Sequence, residues 1–298
     1  MTPPLRRSLH FVPGANEKML AKSLETQADC LVLDLEDAVV PERKIDTRRV
    51  VAQWLKDVDF GAKEKIVRMN PMDTPWGFDD LAVTMQHPPD AYLVPKPRTF
   101  EDIETIDTTL SSLERQLGHP ERGVDLILIA TETPQGVLNL PTFTRCPRVA
   151  GLSWGVEDLS AALGAPRNRD EDGNYLGVYE YCRYQTLLCA AAGGVQPIDT
   201  VYVDFKNAEG LARECKDGAW LGFTGKITIH PDQIPIVNQA FTPQPEDVAE
   251  AEALLEAFEH AQAEGRMAFE FNGQMVDAPH LNRAKAILAR AKQAGVLR

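Results

Sequence analysis

Asp125-Leu126-Ile127-Leu128-Ile129-Ala130-Thr131-Glu132-Thr133-Pro134-Gln135-Gly136-Val137 is the stretch that decides the fold. A short, unbroken apolar run bounded by polar residues suits a strand buried on both faces, as in an all-parallel sheet. A carboxylate follows it, then a proline and a glycine that ease the chain into a helix. The same order recurs at Val149-Ala150-Gly151-Leu152-Ser153 followed by Trp154-Gly155-Val156-Glu157-Asp158-Leu159. Taken singly, each acid is as readily a helix N-cap or a solvated loop residue. As a pair on consecutive strands, Glu132 and Asp158 form an oxygen cage of the kind that Mg²⁺ takes, with water and substrate filling the other positions. The pair points to a metal-assisted enzyme site.

Working outward, short apolar runs alternate with amphipathic stretches along the chain. Strands are expected at 9–12, 30–35, 65–68, 91–94, 125–130, 149–153, 200–203 and 222–229, with helices between them at 18–26, 43–56, 100–117, 179–192 and 207–217. Strict alternation implies parallel strands with right-handed connections, and eight is the number that closes them. The expected fold is therefore α/β: an eight-stranded parallel, TIM-type β/α barrel with a C-terminal helical extension. A doubly wound open sheet is the rival, but its Gly-x-Gly-x-x-Gly turn is absent. After Phe241 the composition shifts through Thr242-Pro243-Gln244-Pro245 to a charged, alanine-rich helix, a short mixed segment and a last helix from Pro279. The expected division is a catalytic barrel over 1–242 and a lid or oligomerisation segment over 243–298, the latter too poor in apolar residues to fold alone.

With 298 residues, 44% of them hydrophobic, the chain is ample for a large core. A net charge of −13 argues against nucleic acid or an anionic membrane surface as partner. No segment has the apolar length of a membrane span, and Met1–Arg7 lacks the apolar centre of a signal peptide. Five cysteines, Cys30, Cys146, Cys182, Cys189 and Cys215, show no Cys-x-x-Cys spacing and read as reduced core residues. A cytoplasmic protein is expected.

Barrel enzymes carry their chemistry at the carboxyl ends of the strands. Those ends read Pro13-Gly14, Asp34-Leu35-Glu36-Asp37, Arg68-Met69-Asn70, Pro95-Lys96, Glu132, Glu157-Asp158, Asp204 and His230-Pro231. Acids facing bases suit a metal bound to a small anionic keto acid. The planar guanidinium of Arg68 can hold a carboxylate with two parallel hydrogen bonds; an internal pair with Glu36 or Asp37 is the bland alternative. Asp34, Glu36 and Asp37 are too many acids for one ion already held by Glu132 and Asp158, and are expected to fix its waters or to orient Arg68. Lys96 either serves the site or neutralises the acidic cluster. Lysine Schiff-base aldolases need no metal, so the carboxylate pair argues against that role for it. Glu157 would point elsewhere, and His230 is either an acid/base or a packing residue.

Taken together, Arg7–Gly14, Leu33–Ala38, Val67–Asn70, Val94–Lys96, Glu132–Gly136, Glu157–Leu159, Ile229–Pro231 and Asn272–Asp277 resemble, in order, the citrate lyase β-subunit-like group of the HpcH/HpaI aldolase superfamily, which includes malyl-CoA and citramalyl-CoA lyases. The resemblance implies a barrel using Mg²⁺, or Mn²⁺ in its place, with Glu132 and Asp158 as ligands. Arg68 and the backbone amides of Gly155, Val156 and Glu157 would hold the keto-acid carboxylate. It further implies that Asp277 acts as acid/base from a neighbouring subunit of a homotrimer or dimer of trimers; on its own, Asp277 reads as a cap for the helix near Pro279. The implied activity is retro-Claisen cleavage of a 3-hydroxyacyl-CoA to a 2-keto acid and acetyl-CoA or a homologue. Alternatives are a citrate lyase β subunit acting on a carrier-bound citryl thioester, a malyl-CoA thioesterase and a non-catalytic homologue. Coenzyme A carries phosphates, and Arg6, Arg7, Lys18, Lys22 and His230 are the candidates for its rim. The polar insert Arg167–Asn174 fits the free-standing CoA lyases better than the carrier-linked subunit.

Overall fold

The computed structural model describes residues 4–297. Two compact units are formed, one over Arg6–Asn238 and one from Gln239 onward. In the first, eight parallel strands close a barrel in chain order: β1 (Ser8–Pro13), β2 (Cys30–Asp34), β3 (Glu64–Arg68), β4 (Ala91–Val94), β5 (Asp125–Ile129), β6 (Val149–Ser153), β7 (Gln196–Asp199) and β8 (Gly225–Thr228). Closure runs through Ser8 opposite Lys226 and His10 opposite Thr228. Helices α1 (Glu17–Leu24), α2 (Lys44–Asp57), α3 (Gly77–Thr84), α4 (Phe100–Leu117), α5 (Pro134–Phe143), α6 (Glu157–Ala162), α7 (Gly177–Gly193), α8 (Ala208–Leu221) and α9 (Gln233–Phe241) return the chain between strands and beyond the last.

Alternation along each strand builds two cores. Leu9, Cys30, Val32, Ile66, Leu93, Ile127, Ile198 and Ile227 fill the barrel, while Leu31, Leu33, Val67, Tyr92 and Leu128 pack outward against helix residues such as Leu20, Val51 and Ile103. Both faces are dry, which is why the strands read as continuous apolar runs. At the amino ends of the strands, buried Arg6 bridges Glu64 at 2.7 Å and Asp125 at 2.9 Å, forming a charged floor. Gly225 lets the chain pass there, since a Cβ on it would meet the Arg6 carbonyl oxygen at 2.0 Å.

Two strands differ from the sequence expectation. β7 lies at Gln196–Asp199, not 200–203. Its Pro197 and Asp199 disguise it, but the Pro197 carbonyl accepts from Thr224 and the Asp199 carboxylate is neutralised by Arg183 and Lys226. Asp199, not Asp204, therefore ends the strand, and Asp204 sits on the exposed loop beyond. β8 begins only at Gly225, because Gly222, at φ 118°, is the left-handed cap of α8.

The second unit holds α10 (Pro245–Ala263), a hairpin of β9 (Phe269–Phe271) and β10 (Gln274–Val276), and α11 (Ala278–Gln293). Asn272 and Gly273, both at positive φ, make the tight two-residue turn that a twisted hairpin favours. Its core is small: Ala251, Leu254, Phe258, Ala261, Phe269, Val276 and Ala284.

Candidate active site

Glu132 follows β5 and is 5% exposed. Its Oε2 accepts the Lys96 amide at 2.7 Å, an approach that requires Lys96 to adopt a left-handed backbone at φ 53°. Gly155 lies flush against it, since a Cβ there would come within 2.3 Å of Glu132 Cγ. Thr131 stitches the two strand ends together, its Oγ1 accepting the Gly155 amide at 3.1 Å. Burial first, then the charges of Glu36 and Asp158, push the Glu132 carboxyl up to about 8, against the opposing pull of Lys96 and Arg68. Asp158 stands in the first turn of α6, its side chain 39% exposed and its Oδ1 3.2 Å from Lys96 Nζ.

Arg68 ends β3 beside Asp34, which ends β2, and the register of the two strands sets them side by side. The fork is complete: Nε to Oδ1 at 2.7 Å and Nη2 to Oδ2 at 2.6 Å. Phe11 packs under the guanidinium with its ring centre 4.5 Å away. Nη1 is left for Glu36 Oε2 at 3.0 Å and Asp37 at 3.6 Å. The contact with Glu36 lies off the N–H direction, so Glu36 Oε2 is a buried oxygen with a charge beside it and no hydrogen bond. Burial, opposed chiefly by Arg68 and Lys96, raises the Glu36 carboxyl to about 7. Lys96 Nζ spans the group, at 2.6 Å from Glu36, 3.4 Å from Asp37 and 3.2 Å from Asp158. Those contacts hold it as an ammonium, its proton affinity raised by Glu36 despite burial, which leaves no nucleophilic amine.

Five carboxylates, Asp34, Glu36, Asp37, Glu132 and Asp158, thus meet two ion-paired cations, Arg68 and Lys96. The surplus is negative, the donors are hard oxygens, and one buried oxygen has no hydrogen bond. These residues fit a divalent cation. Among the described residues no three His, Cys, Asp or Glu gather closely enough to cage a metal ion, so an ion here would need water or substrate for its remaining ligands. Glu132 and Asp158 are the residues that could hold it.

Other expected residues fall elsewhere. Arg7 is not at the mouth: it precedes β1, where its amide, Nε and Nη2 all bond Asp29 at 2.8–2.9 Å. Arg6 is likewise part of the floor, so neither faces a ligand at the carboxyl ends. Lys18 and Lys22 are exposed on α1. His230 follows β8 and stacks on Phe205, ring centres 5.0 Å apart and 16° from parallel. Glu157 turns away to accept Asn168 Nδ2 at 3.0 Å. The Gly155 amide is engaged by Thr131, so it is not the open donor expected; the amides of Val156 and Glu157 bond no protein acceptor among the described residues. Asp277 lies in the second unit at the start of α11, its Oδ1 2.8 Å from His280 Nδ1 in a capping box.

The sequence reading passed over several supports. Buried Lys44 donates to the Leu35 and Glu36 carbonyls and to Asn70 Oδ1, fixing the turn that carries Glu36. Phe11 and Thr131 lay inside the quoted motifs, but nothing local marks a phenyl ring as a platform or a hydroxyl as a stitch. Trp154 Nε1 donates to Asp199 Oδ1 at 2.7 Å, a link visible only once β7 is placed.

Known proteins resemble this chain over most of its length. The family model for HpcH/HpaI aldolase/citrate lyase matches residues 7–231. A (3S)-malyl-CoA thioesterase of Cereibacter sphaeroides is 35% identical over 98% of this chain and 96% of its own length. The mitochondrial citramalyl-CoA lyase of Rattus norvegicus is 36% identical over 96% of this chain and 86% of its own. The CitE protein of Mycobacterium tuberculosis, solved with magnesium, acetoacetate and coenzyme A, superposes with a TM-score of 0.76 at 30% identity, over 97% of this chain and 98% of that one. The chain belongs to the HpcH/HpaI aldolase/citrate lyase family, a family of lyases.

Proposed function

We propose that the protein cleaves a 3-hydroxyacyl-CoA thioester of the malyl-CoA or citramalyl-CoA type, with Mg²⁺, into a 2-keto acid and acetyl-CoA or a homologue. The observation that carries this reading is the gathering of the buried Glu132 carboxyl and Asp158 on Lys96, whose amide bonds the first and whose ammonium pairs with the second, in a mouth whose acids outnumber its cations and whose wall holds Arg68. Glu132 and Asp158 would hold the metal, which when bound supplies Lewis-acid stabilisation of developing negative charge.

The remaining steps fall to the chain's own residues. Asp34 and Phe11 hold Arg68 flat, so that its Nη1 end can exchange Glu36 for the substrate carboxylate. The amides of Val156 and Glu157 add neutral donors to the same anion. Asp277 takes the proton of the C3 hydroxyl. The C2–C3 bond then breaks, its electron pair passes to the thioester as an enolate, and protonation at carbon releases the acyl-CoA. Exposed Lys18 and Lys22 suit the phosphates of coenzyme A, and the Phe205–His230 stack offers its base a flat face. By the same family likeness the protein works as a homotrimer or dimer of trimers. No helix among the described residues is long and apolar enough to cross a membrane. The proposed place of work is the cytoplasm.

A second reading, hydrolysis of the thioester, is favoured by the malyl-CoA thioesterase relative. One assay separates the two. Malyl-CoA and citramalyl-CoA are offered with Mg²⁺ and with EDTA, and keto acid is trapped by phenylhydrazine. Mg²⁺-dependent glyoxylate or pyruvate is the expected result. Free CoA without keto acid would replace the lyase with the thioesterase, and undiminished turnover in EDTA would sink the metal.

A further inference from the structure

The polar insert between α6 and α7 takes no part in the chemistry above, yet it is firmly built. Arg169 and Tyr175 form an isolated antiparallel bridge, and the Leu176 amide donates to the Asn168 carbonyl at 2.9 Å. Arg169 anchors the insert: Nη2 bonds Glu214 Oε2 of α8 at 2.6 Å, Nη1 bonds the Gly173 carbonyl at 2.7 Å, and the guanidinium lies 3.6 Å from the Tyr175 ring centre. Tyr175, 8% exposed, then sets its ring edge-on to Trp154, with centres 4.9 Å apart and planes at 73°. Trp154 is fully buried and tied at its indole nitrogen to Asp199. Asn168 meanwhile donates to Glu157. The insert therefore grips the segment before Asp158 at two points, Trp154 and Glu157.

That segment needs outside support. α6 has six residues and no side-chain N-cap, and a helix so short has no stability of its own. The one ion pair of Asp158 among the described residues is with Lys96, across the mouth.

We propose that residues 167–176 are a brace for the metal-binding loop, with Arg169 and Tyr175 as positioning residues that act on Asp158 through Trp154. The proposal rests on the metal-assisted reading, and it extends that reading to residues that touch neither metal nor substrate. Groups that orient metal ligands typically govern affinity by about 10- to 100-fold.

The test compares Tyr175→Ala, Tyr175→Phe and Asn168→Ala in the full chain. Mg²⁺ affinity is measured by calorimetry, amide hydrogen exchange over 153–160 is followed in the metal-free protein, and Tm serves as the fold control. Tyr175→Ala should weaken Mg²⁺ binding about 10- to 100-fold and speed exchange over 153–160 beyond what its lower Tm produces elsewhere in the barrel. Tyr175→Phe, which keeps the ring and loses only the long 3.4 Å bond of its hydroxyl to Glu214, should stay close to the parent. Asn168→Ala should move both readouts in the same direction by less. Parent-like affinity and exchange in Tyr175→Ala would overturn the brace, as would a Phe variant as impaired as the Ala variant. Should Tyr175→Ala not fold, the exposed Asn168 contact decides by the same two readouts. If the parent itself binds no Mg²⁺, the functional reading falls, while the exchange comparison still supports or refutes the brace.

Discussion

Gly155 is the residue on which the geometry of Glu132 depends. A methyl group there would lie 2.3 Å from Glu132 Cγ and 3.1 Å from Ile129 Cγ2, so Gly155→Ala must push the carboxylate aside. A displacement of about 1 Å can lower turnover by about 100-fold. We expect at least that loss in kcat, together with weaker Mg²⁺ binding and a small change in Tm; parent-like kcat would remove Glu132 from the reacting centre. His10 makes a different prediction. It is 1% exposed with Nδ1 3.1 Å from Thr228 Oγ1. Burial, with the charge of His230, pulls its imidazole from the ordinary 6.5 down to about 4. The folded protein then binds fewer protons there than the unfolded chain does. Stability is intact above 6.5 and falls as pH drops towards 4, by about 3 kcal/mol from this group. Urea unfolding at pH 7 and pH 4.5 should show that loss in the parent and little of it in His10→Gln; equal slopes would clear His10. The positions of Arg68, Glu132 and Asp158 at or after strand ends were legible because a polar residue closing an apolar run is a local pattern. Which of the three acids expected near Arg68 forks it was not, because the choice of Asp34 depends on the register of β2 against β3. Arg7 was misplaced for a related reason: nearness to a strand in sequence does not say which end of the barrel a side chain joins.

At the scale of elements, the packing of α7 and α8 onto β7 and β8 contains a buried charge network. Lys226 is fully buried between Glu214 at 2.8 Å and Asp199 at 3.6 Å, and Asp199 also takes Arg183 at 2.7 Å and the Trp154 indole. Removing one member strands its partners without water. Lys226→Met should lower stability by about 3–5 kcal/mol in urea titration, and a loss below 1 kcal/mol would show the carboxylates finding solvent. The same network explains why β7 escaped the sequence reading. Its polar residues are satisfied by groups on three other elements, and no window of sequence contains them. Strands such as β2, β4 and β5 stood out because both of their faces are largely apolar.

At the scale of the molecule, Arg68, Glu132 and Asp158 belong to the barrel unit and Asp277 to the second unit. Asp277→Asn should reduce turnover about 10²–10⁴-fold with Mg²⁺ binding retained. If Asp277 serves a neighbouring chain, mixed oligomers of Asp277→Asn and Glu132→Gln, made by co-refolding, should regain activity that neither variant has alone. Mixtures as inactive as their components would confine Asp277 to its own chain or exclude it. The closed barrel was legible from the count and alternation of its elements. The acid/base role of Asp277 rests on the family resemblance alone, since a half-exposed acid at a helix start looks the same whether it caps or catalyses. Closure has one more consequence. β1 bonds β8, and His10 meets Thr228 across 218 residues of chain. During synthesis at about 5–20 residues per second, the first strand leaves the ribosome with one edge unpaired for roughly 10–45 s before its last neighbour exists. Within that interval the nascent chain presents an apolar strand edge to whatever surrounds it, and folding helpers have their clearest reason to attend this protein then.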